Sequence, residues 1–372
     1  MHVKRVDLAS KTDIEKFIAF PFRLYRGNAL WIPPMWNDMR RVLDPAQHPF
    51  YQHSEAGFFI AESAGDVCGR IAVLAHRRFN AFRHQQAAFF YYFDVVDDRE
   101  VALALFEAAF DWARERNLVC IIGPKGFLQA DGHGVLVEGY EHRPAVGIPY
   151  NYPYYEELLL TAGFTKETDY FSGYITREQG LPQRYFQVTE QVRLRRGYTV
   201  KTFFNKDELR AWIPRIGHIY REAFTDHWEF CPPTDDEMKL IGDRLLAISD
   251  PRLIKVVLKD AEVIGFVFAF PDISEGIRRS RGKLWPFGWI YLMRDFKHTQ
   301  WVDFNGVGIL QPYQGTGANA VMYAELTKTL YEYQYQFGEF VQVEERNVKS
   351  LGESRALDVH WFKRHRVYRR SL

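Results

Sequence analysis

The sequence predicts an α/β (α+β) protein built from two tandem copies of one fold, each a mixed, mostly antiparallel central sheet flanked by helices. Length is the first observation: 372 residues correspond to two or three domains at about 150 residues each. Composition is the second: 47% hydrophobic and 26% charged residues are the proportions of an ordinary globular chain, so each half can bury a core. The third is internal self-similarity. A shift of 193 residues carries Thr12, Glu15 and Pro21 onto Asn205, Glu208 and Pro214. A shift of 199 carries Pro33, in Trp31-Ile32-Pro33-Pro34, onto Pro232, in the segment from Trp228 to Pro233, and one of 196 carries Gly69 onto Gly265. Landmarks in one order at a nearly constant offset mark a duplication.

Each copy reads as strand, capped helix, irregular segment, hairpin, strand, long helix, strand. In copy one the first strand is 3–8, and Thr12-x-x-Glu15 is a capping box for the helix that follows. Gly65-Asp66-Val67-Cys68-Gly69 joins apolar strands 58–62 and 69–75 as a hairpin. The central strand is 88–96 and its helix 99–117, with Val101, Leu105, Ala108, Ala109 and Trp112 as the apolar stripe. Strand 119–122 follows. A polar, partly helical linker, 177–196, leads to copy two, so the domains are expected at 1–176 and 197–372. There strand 199–204 precedes a helix capped by Asn205 and Glu208, and Asp260-Ala261-Glu262-Val263-Ile264-Gly265 echoes the first hairpin's turn. The insertion 271–297 carries a basic run at 276–283, read as a solvated loop. Strand 299–310, helix 319–337 and strand 339–344 complete the copy, the helix with a stripe of Ala320, Tyr323, Ala324, Thr327, Leu330 and Tyr331.

Charge and cysteine content exclude several classes. Forty-eight Lys and Arg against 47 Asp and Glu leave a net charge of +1, which argues against a dedicated nucleic-acid binder. Cys68, Cys120 and Cys231 are odd in number and far apart, so neither a disulfide framework nor a C-x-x-C metal pair is expected. The histidines show no ligand spacing, and no metal site is expected. No apolar stretch approaches the roughly 18 residues of a membrane span, and the N-terminus lacks the apolar core of a signal peptide. A soluble, reduced, cytoplasmic protein is expected. Oligomeric state is not legible.

The segment from Asn305 to Asn319 carries the chemistry. A strand containing Val307, Gly308, Ile309 and Leu310 runs into Pro312, then Gln314-Gly315-Thr316-Gly317-Ala318-Asn319, and a helix begins at once. Glycines admit positive φ and turn successive N–H groups into one concavity. The helix N-terminus adds unpaired N–H groups and a positive dipole end. The ligand such a cradle fits is an anion, most naturally a diphosphate. Copy one has Val95-Val96-Asp97-Asp98-Arg99-Glu100 in its place, where Asp97 is expected to cap the helix with Glu100 closing the box. Carboxylates without glycines would repel a diphosphate, so only copy two is expected to bind one.

This loop and the landmark order resemble the GNAT acyltransferase superfamily, whose acetyl-CoA loop reads Gln/Arg-x-x-Gly-x-Gly/Ala; Asn319 departs from the last position. The chain is similar to bacterial tandem-GNAT proteins of about this length. The resemblance implies transfer of an acyl group, most directly acetyl from acetyl-CoA, to an amine acceptor, with the strand 307–310 along the pantetheine arm and a backbone N–H of Ile309 or Leu310 facing the thioester. It assigns Glu345 as base, with Asn347 on the same strand face, since alternation lets only one of Glu344 and Glu345 point into the cleft. It assigns Tyr368 as acid or cleft wall, and Tyr220 and Trp228 as walls of the acceptor pocket. In copy one, Tyr150-Asn151-Tyr152-Pro153-Tyr154-Tyr155 resembles a late element of the fold. Binding of acyl-CoA without turnover, and aminoacyl or long-chain acyl transfer, are the other readings. Gly315-x-Gly317-x-x-Ala320 also fits the dinucleotide pattern, but only 52 residues follow Ala320, too few for a Rossmann domain. No P-loop lysine, H-E-x-x-H or G-x-S-x-G motif is present.

Overall fold

Apolar alternation and 3.6-residue periodicity recur in the same order in both halves, and the elements follow them. The computed structural model describes residues 1–372, the side chains at 353 and 356 apart. The first half runs β1 (His2–Arg5), α1 (Lys11–Leu24), α2 (Trp36–Val42), β2 (Glu55–Ser63), β3 (Asp66–Ala75), α3 (Arg77–Arg83), β4 (Ala87–Val95), α4 (Arg99–Arg114), β5 (Cys120–Gly123), β6 (Val135–Glu138), α5 (Tyr154–Thr161) and β7 (Thr165–Thr176). Helix α6 (Gln183–Arg196) fills the linker and ends at Gly197, whose φ of +67° closes it. The second half runs β8 (Tyr198–Thr202), α7 (Lys206–Ala223), α8 (Asp235–Ile248), β9 (Lys255–Lys259), β10 (Glu262–Pro271), α9 (Ser274–Ser280), α10 (Gly288–His298), β11 (Trp301–Ile309), α11 (Ala318–Glu332), β12 (Phe337–Glu344), α12 (Val348–Ala356) and β13 (His360–Ser371).

Local chemistry sets the boundaries, with shifts of a residue or two from the sequence expectation. Both hairpins turn on a pair of positive-φ residues, Ala64 and Gly65 in one and Asp260 and Ala261 in the other, the geometry that matches strand twist. Asn205 caps α7 by accepting from the N–H of Glu208, as its spacing predicts. Helix α1 is capped by Ser10 instead of Thr12, and α4 by Asp98 instead of Asp97. In each case a neighbouring capping residue competes: the one nearer the preceding strand wins at α1, and the one nearer the helix wins at α4. The basic run is helix α9 and its closing turn, where the sequence suggested a loop.

The strands join one 13-stranded sheet in the order β1-β2-β3-β4-β5-β13-β7-β12-β11-β10-β9-β8, with β6 paired to β13. Each half lends its last strand to the other. Strand β13 pairs with β5, and β7 pairs with β12 from Thr176↔Phe337 to Tyr170↔Glu344. The repeats are therefore interlocked along the sheet, and the seam runs between β13 and β7.

Helix α4 buries Val101, Leu105, Phe106, Ala109, Phe110 and Trp112 in the first half, each large side chain contributing about 1.5–3 kcal/mol of burial. Helix α11 buries Ala318, Val321, Met322, Ala324 and Leu326, a face rotated from the expected stripe. The reason is α6: it covers a second flank of α11, with Val192 meeting Gly317 and the Tyr185 hydroxyl donating to the Ala320 carbonyl. In each half one strand pair is parallel and brief: β4 with β5 from Ala87↔Cys120 to Phe89↔Ile122, and β11 with β12 from Trp301↔Phe337 to Phe304↔Phe340. Beyond those positions the strands part. In the second half the gap leads into a cavity of about 1090 Å³.

Candidate active site

The cavity begins at the turn between β11 and α11. Gly315 (φ +72°) and Gly317 (φ +88°) both hold the left-handed conformation, and among the described residues no side chain caps the helix that Gly317 opens. The Gln314 and Thr316 N–H groups close the turn on the Gln311 and Tyr313 carbonyls, and the left-handed glycines turn the remaining N–H groups toward one concavity. A Cβ on Gly317 would lie 2.9 Å from Val192, so position and conformation both require glycine. Thr316 is held from behind by the Tyr198 hydroxyl at 2.8 Å. Lys349, on α12, donates to the Gln314 side chain at 2.6 Å and adds a cation beside the turn. No local pattern marks Lys349, which lies 35 residues beyond Gln314.

The splayed edge of β11 forms the next wall. The Leu310 N–H donates to the Ile264 carbonyl of β10. Strand alternation then turns the N–H groups of Ile309 and Val307 away from β10, toward the gap. Gly306 also lines the cavity, and a Cβ there would meet nothing within 4 Å.

Deeper in, the cavity widens between α7, α8 and the sheet into an apolar chamber walled by Ile213, Ile216, Ile241, Leu245, Phe266 and Phe270. The two helices approach through glycines, with Gly217 against Met238 and Gly242 against Ile213.

Polar groups cluster where the halves meet. The cavity is lined there by Asp131, His133 and Tyr170 from the first half and by Glu229 and Glu344 from the second. The His133 ring stacks on Tyr170 with centroids 5.3 Å apart, and Tyr170 stands opposite Glu344 in the β7–β12 ladder. Glu344 accepts from the Thr168 hydroxyl at 2.7 Å. Glu229 is buried, and its Oε2 has no hydrogen-bond partner among the described residues. Burial pushes its carboxyl up to about 7, with the Lys125 ammonium opposing the rise. Burial likewise holds the His133 imidazole well below its ordinary range, in the neutral form, with Nε2 unpartnered among the described residues.

Of the residues singled out from the sequence, Val307, Gly308, Ile309, Gln314, Gly315, Asn319, Asn347 and Tyr220 line the cavity. Leu310, Thr316, Gly317 and Ala318 stand behind its wall, Ala318 fully buried in the core under α11. Three assignments move. Glu345 lies outside the lining and pairs with Lys166 at 2.7 Å, while Glu344 faces inward. A bulge in β12, with Gln342 at φ +50° and a register shift between Phe340 and Val343, reverses the phase of the alternation. Tyr368 is carried by the exchanged β13 into the core of the first half, where its hydroxyl donates to Glu156 at 2.7 Å. Trp228 packs on the first half's other core, with Arg346 over its ring. The cationic residues of β13 are spent on internal pairs, such as Lys363 with Glu339 and Arg366 with Asp169. Glu229, His133 and Tyr170 were missed, because nothing local to them marks a cavity built from both halves.

Among the described residues no group of His, Cys, Asp and Glu is arranged to hold a metal ion, and no helix is long and apolar enough to cross a membrane. The fold is that of the GNAT superfamily in its tandem form. A tandem GNAT protein from the clavulanic acid biosynthesis pathway superposes with a TM-score of 0.57 at 11% identity, over 100% of this chain and 98% of that one. Among curated proteins the chain is similar to bacterial ceramide synthase of Caulobacter vibrioides, 27% identical over 292 residues, covering 77% of this chain and 75% of the relative. It is as similar to protein YghO of Escherichia coli, 27% identical over 289 residues, covering 76% of this chain and 72% of the relative. No family model matches the sequence.

Proposed function

We propose that the protein is an acyl-CoA-dependent N-acyltransferase with at least one long-chain substrate. One observation carries this reading: a single cavity joins the Gly315–Gly317 turn, the open edge of β11 and the apolar chamber between α7 and α8. At about 1090 Å³ it lies at the upper limit of the roughly 300–1,000 Å³ usual for small-molecule sites. An acetyl group would leave most of that chamber empty, so the long-chain alternative is favoured over acetyl transfer. The kinship with a protein named ceramide synthase supports the same direction. A ceramide is the N-acyl derivative of a long-chain amino alcohol, and we take such an amine as the acceptor.

In this reading the CoA diphosphate lies on the N–H groups of Gly315, Gly317 and Ala318, since those of Gln314 and Thr316 donate to the Gln311 and Tyr313 carbonyls; Lys349 stands beside it, and the pantetheine arm extends β11. The Ile309 N–H supports the oxyanion that forms as the amine attacks the thioester carbonyl. Glu229 accepts the proton the acceptor nitrogen must lose, a role suited to a carboxyl poised near neutrality. Collapse of the adduct forms the amide and releases CoA as its thiol. His133 and Tyr170, from the first half, hold the acceptor end. The test is free-thiol release by the full chain across saturated acyl-CoA donors from acetyl to palmitoyl, with a long-chain amino alcohol or a short amine as acceptor. Amide product and thiol release confined to pairs with a long chain are expected. Preference for acetyl-CoA with a short amine would overturn the reading, as would binding without release for every pair.

A further inference from the structure

The helical insertion of the second half is unlike the rest of the surface. Six of the fifteen most exposed large apolar side chains among the described residues lie within nine positions: Trp285, Phe287, Trp289, Ile290, Tyr291 and Met293. Trp285 is 79% exposed. An amphipathic helix normally turns its apolar face inward, and α10 does the reverse. Its inner contact is made by backbone: Gly276 of α9 abuts Tyr291 and Leu292, and Gly288 abuts Ser280. The Asp295 carboxylate locks the pair by accepting from the Gly276 N–H at 2.7 Å. The turn between the helices is fastened to the first half, since the Trp36 N–H donates to the Gly282 carbonyl and Lys283 sits over the Trp36 ring at 4.3 Å. The aromatic face is thus held outward by a braced scaffold.

Charge identifies what covers it. Residues 274–298 carry six Lys and Arg against two Asp and Glu, a net of +4 in a chain of net +1. Glu275 is engaged by Arg278 and Arg279, and Asp295 by backbone. Arg281, Arg294 and Lys297 make no ion pair with any described residue. Exposed Trp, Phe and Tyr rings framed by cations are the chemistry of a helix lying in the headgroup region of a bilayer. A protein partner would leave the cations needing matched carboxylates, whereas an anionic lipid surface supplies charge at every position. The insertion also departs from β10 immediately after Phe270, a wall of the apolar chamber, so a membrane here lies along the same strand end as the cavity.

We infer that the α9–α10 hairpin docks the protein on the surface of an anionic lipid bilayer. The inference stands whether or not the cavity turns over acyl-CoA. The test is co-sedimentation of the full chain with phosphatidylglycerol vesicles and with pure phosphatidylcholine vesicles, together with tryptophan emission. Binding to the anionic vesicles, a blue shift, and release by high salt are expected. The triple variant Trp285→Glu/Phe287→Glu/Trp289→Glu, checked for an unchanged circular dichroism spectrum, should lose binding. Arg294→Gln/Lys297→Gln should weaken it about fivefold for each cation removed. Should the triple variant fold poorly, Trp285→Glu alone is read in its place. Three results would overturn the inference: wild-type protein left in the supernatant with anionic vesicles, equal binding by the aromatic variant, or a solution dimer that the aromatic variant dissociates in a protein that ignores vesicles.

Discussion

The two halves place the same strand and the same helix start in opposite states. By register, Ile309 stands opposite Gly265 in the second half as Val95 stands opposite Gly69 in the first. The Val95 N–H donates to the Tyr155 hydroxyl and its carbonyl accepts from the Tyr154 hydroxyl at 2.7 Å, so that edge is closed by protein. Tyr25 ties in through the Tyr155 hydroxyl at 2.9 Å. Opposite Phe268 the second half has Gly306, whereas opposite Ala72 the first has Tyr91. The helix that follows is capped by the Asp98 carboxylate in one half and opens at Gly317 with no side-chain cap among the described residues in the other. Tyrosines and an aspartate fill in the first half what glycines leave open in the second. A duplicated scaffold has thus made one copy a core and the other a cavity, and the core copy lends His133 and Tyr170 to the lining of its neighbour's cavity.

Filling the open copy breaks the comparison most completely. Gly306→Leu adds a side chain in unoccupied space, so loss of measurable CoA binding with an unchanged melting temperature is expected, by calorimetry and thermal unfolding. Glu229→Gln comes next: kcat should fall by about 10²–10⁴, the contribution of a positioned base, while CoA affinity holds. In the proposed mechanism the ionised carboxylate is the active form, and burial raises its titration to about 7. The rate should therefore fall as pH drops through about 7, and Glu229→Gln should erase that limb of the kcat/KM profile. Leu245→Trp narrows the chamber and should shift donor or acceptor preference to shorter chains, at an overpacking cost of about 1–3 kcal/mol. Asp98→Ala acts on the closed copy alone. Loss of the cap should lower stability by about 1 kcal/mol, read by denaturant titration, with no change in CoA binding.

Much of this contrast is visible in the sequence, because caps, turns and glycine pairs are local. Asn205, the two hairpins and the Gly315–Gly317 turn follow from a few adjacent residues each. What escapes is non-local. The alternation of β13 marks it as a strand, but nothing in it says that its neighbour is β5 of the other half, and Tyr368 is misplaced for that reason. A bulge at Gln342 decides between Glu344 and Glu345, and its strained φ is imposed by pairing with β7. Glu229 gains its unpartnered oxygen only when the halves close over it. The aromatic insertion was legible as basic but not as helical, since its helices are held by glycine contacts and not by an inward apolar stripe.

The most direct test of the central claim is the stoichiometry of binding: calorimetric titration of the full chain with CoA and with palmitoyl-CoA. One site per chain, occupied more tightly by the palmitoyl thioester than by CoA itself, is the predicted result. Two equivalent sites, or no site at all, would contradict the division of the molecule into one closed copy and one open one.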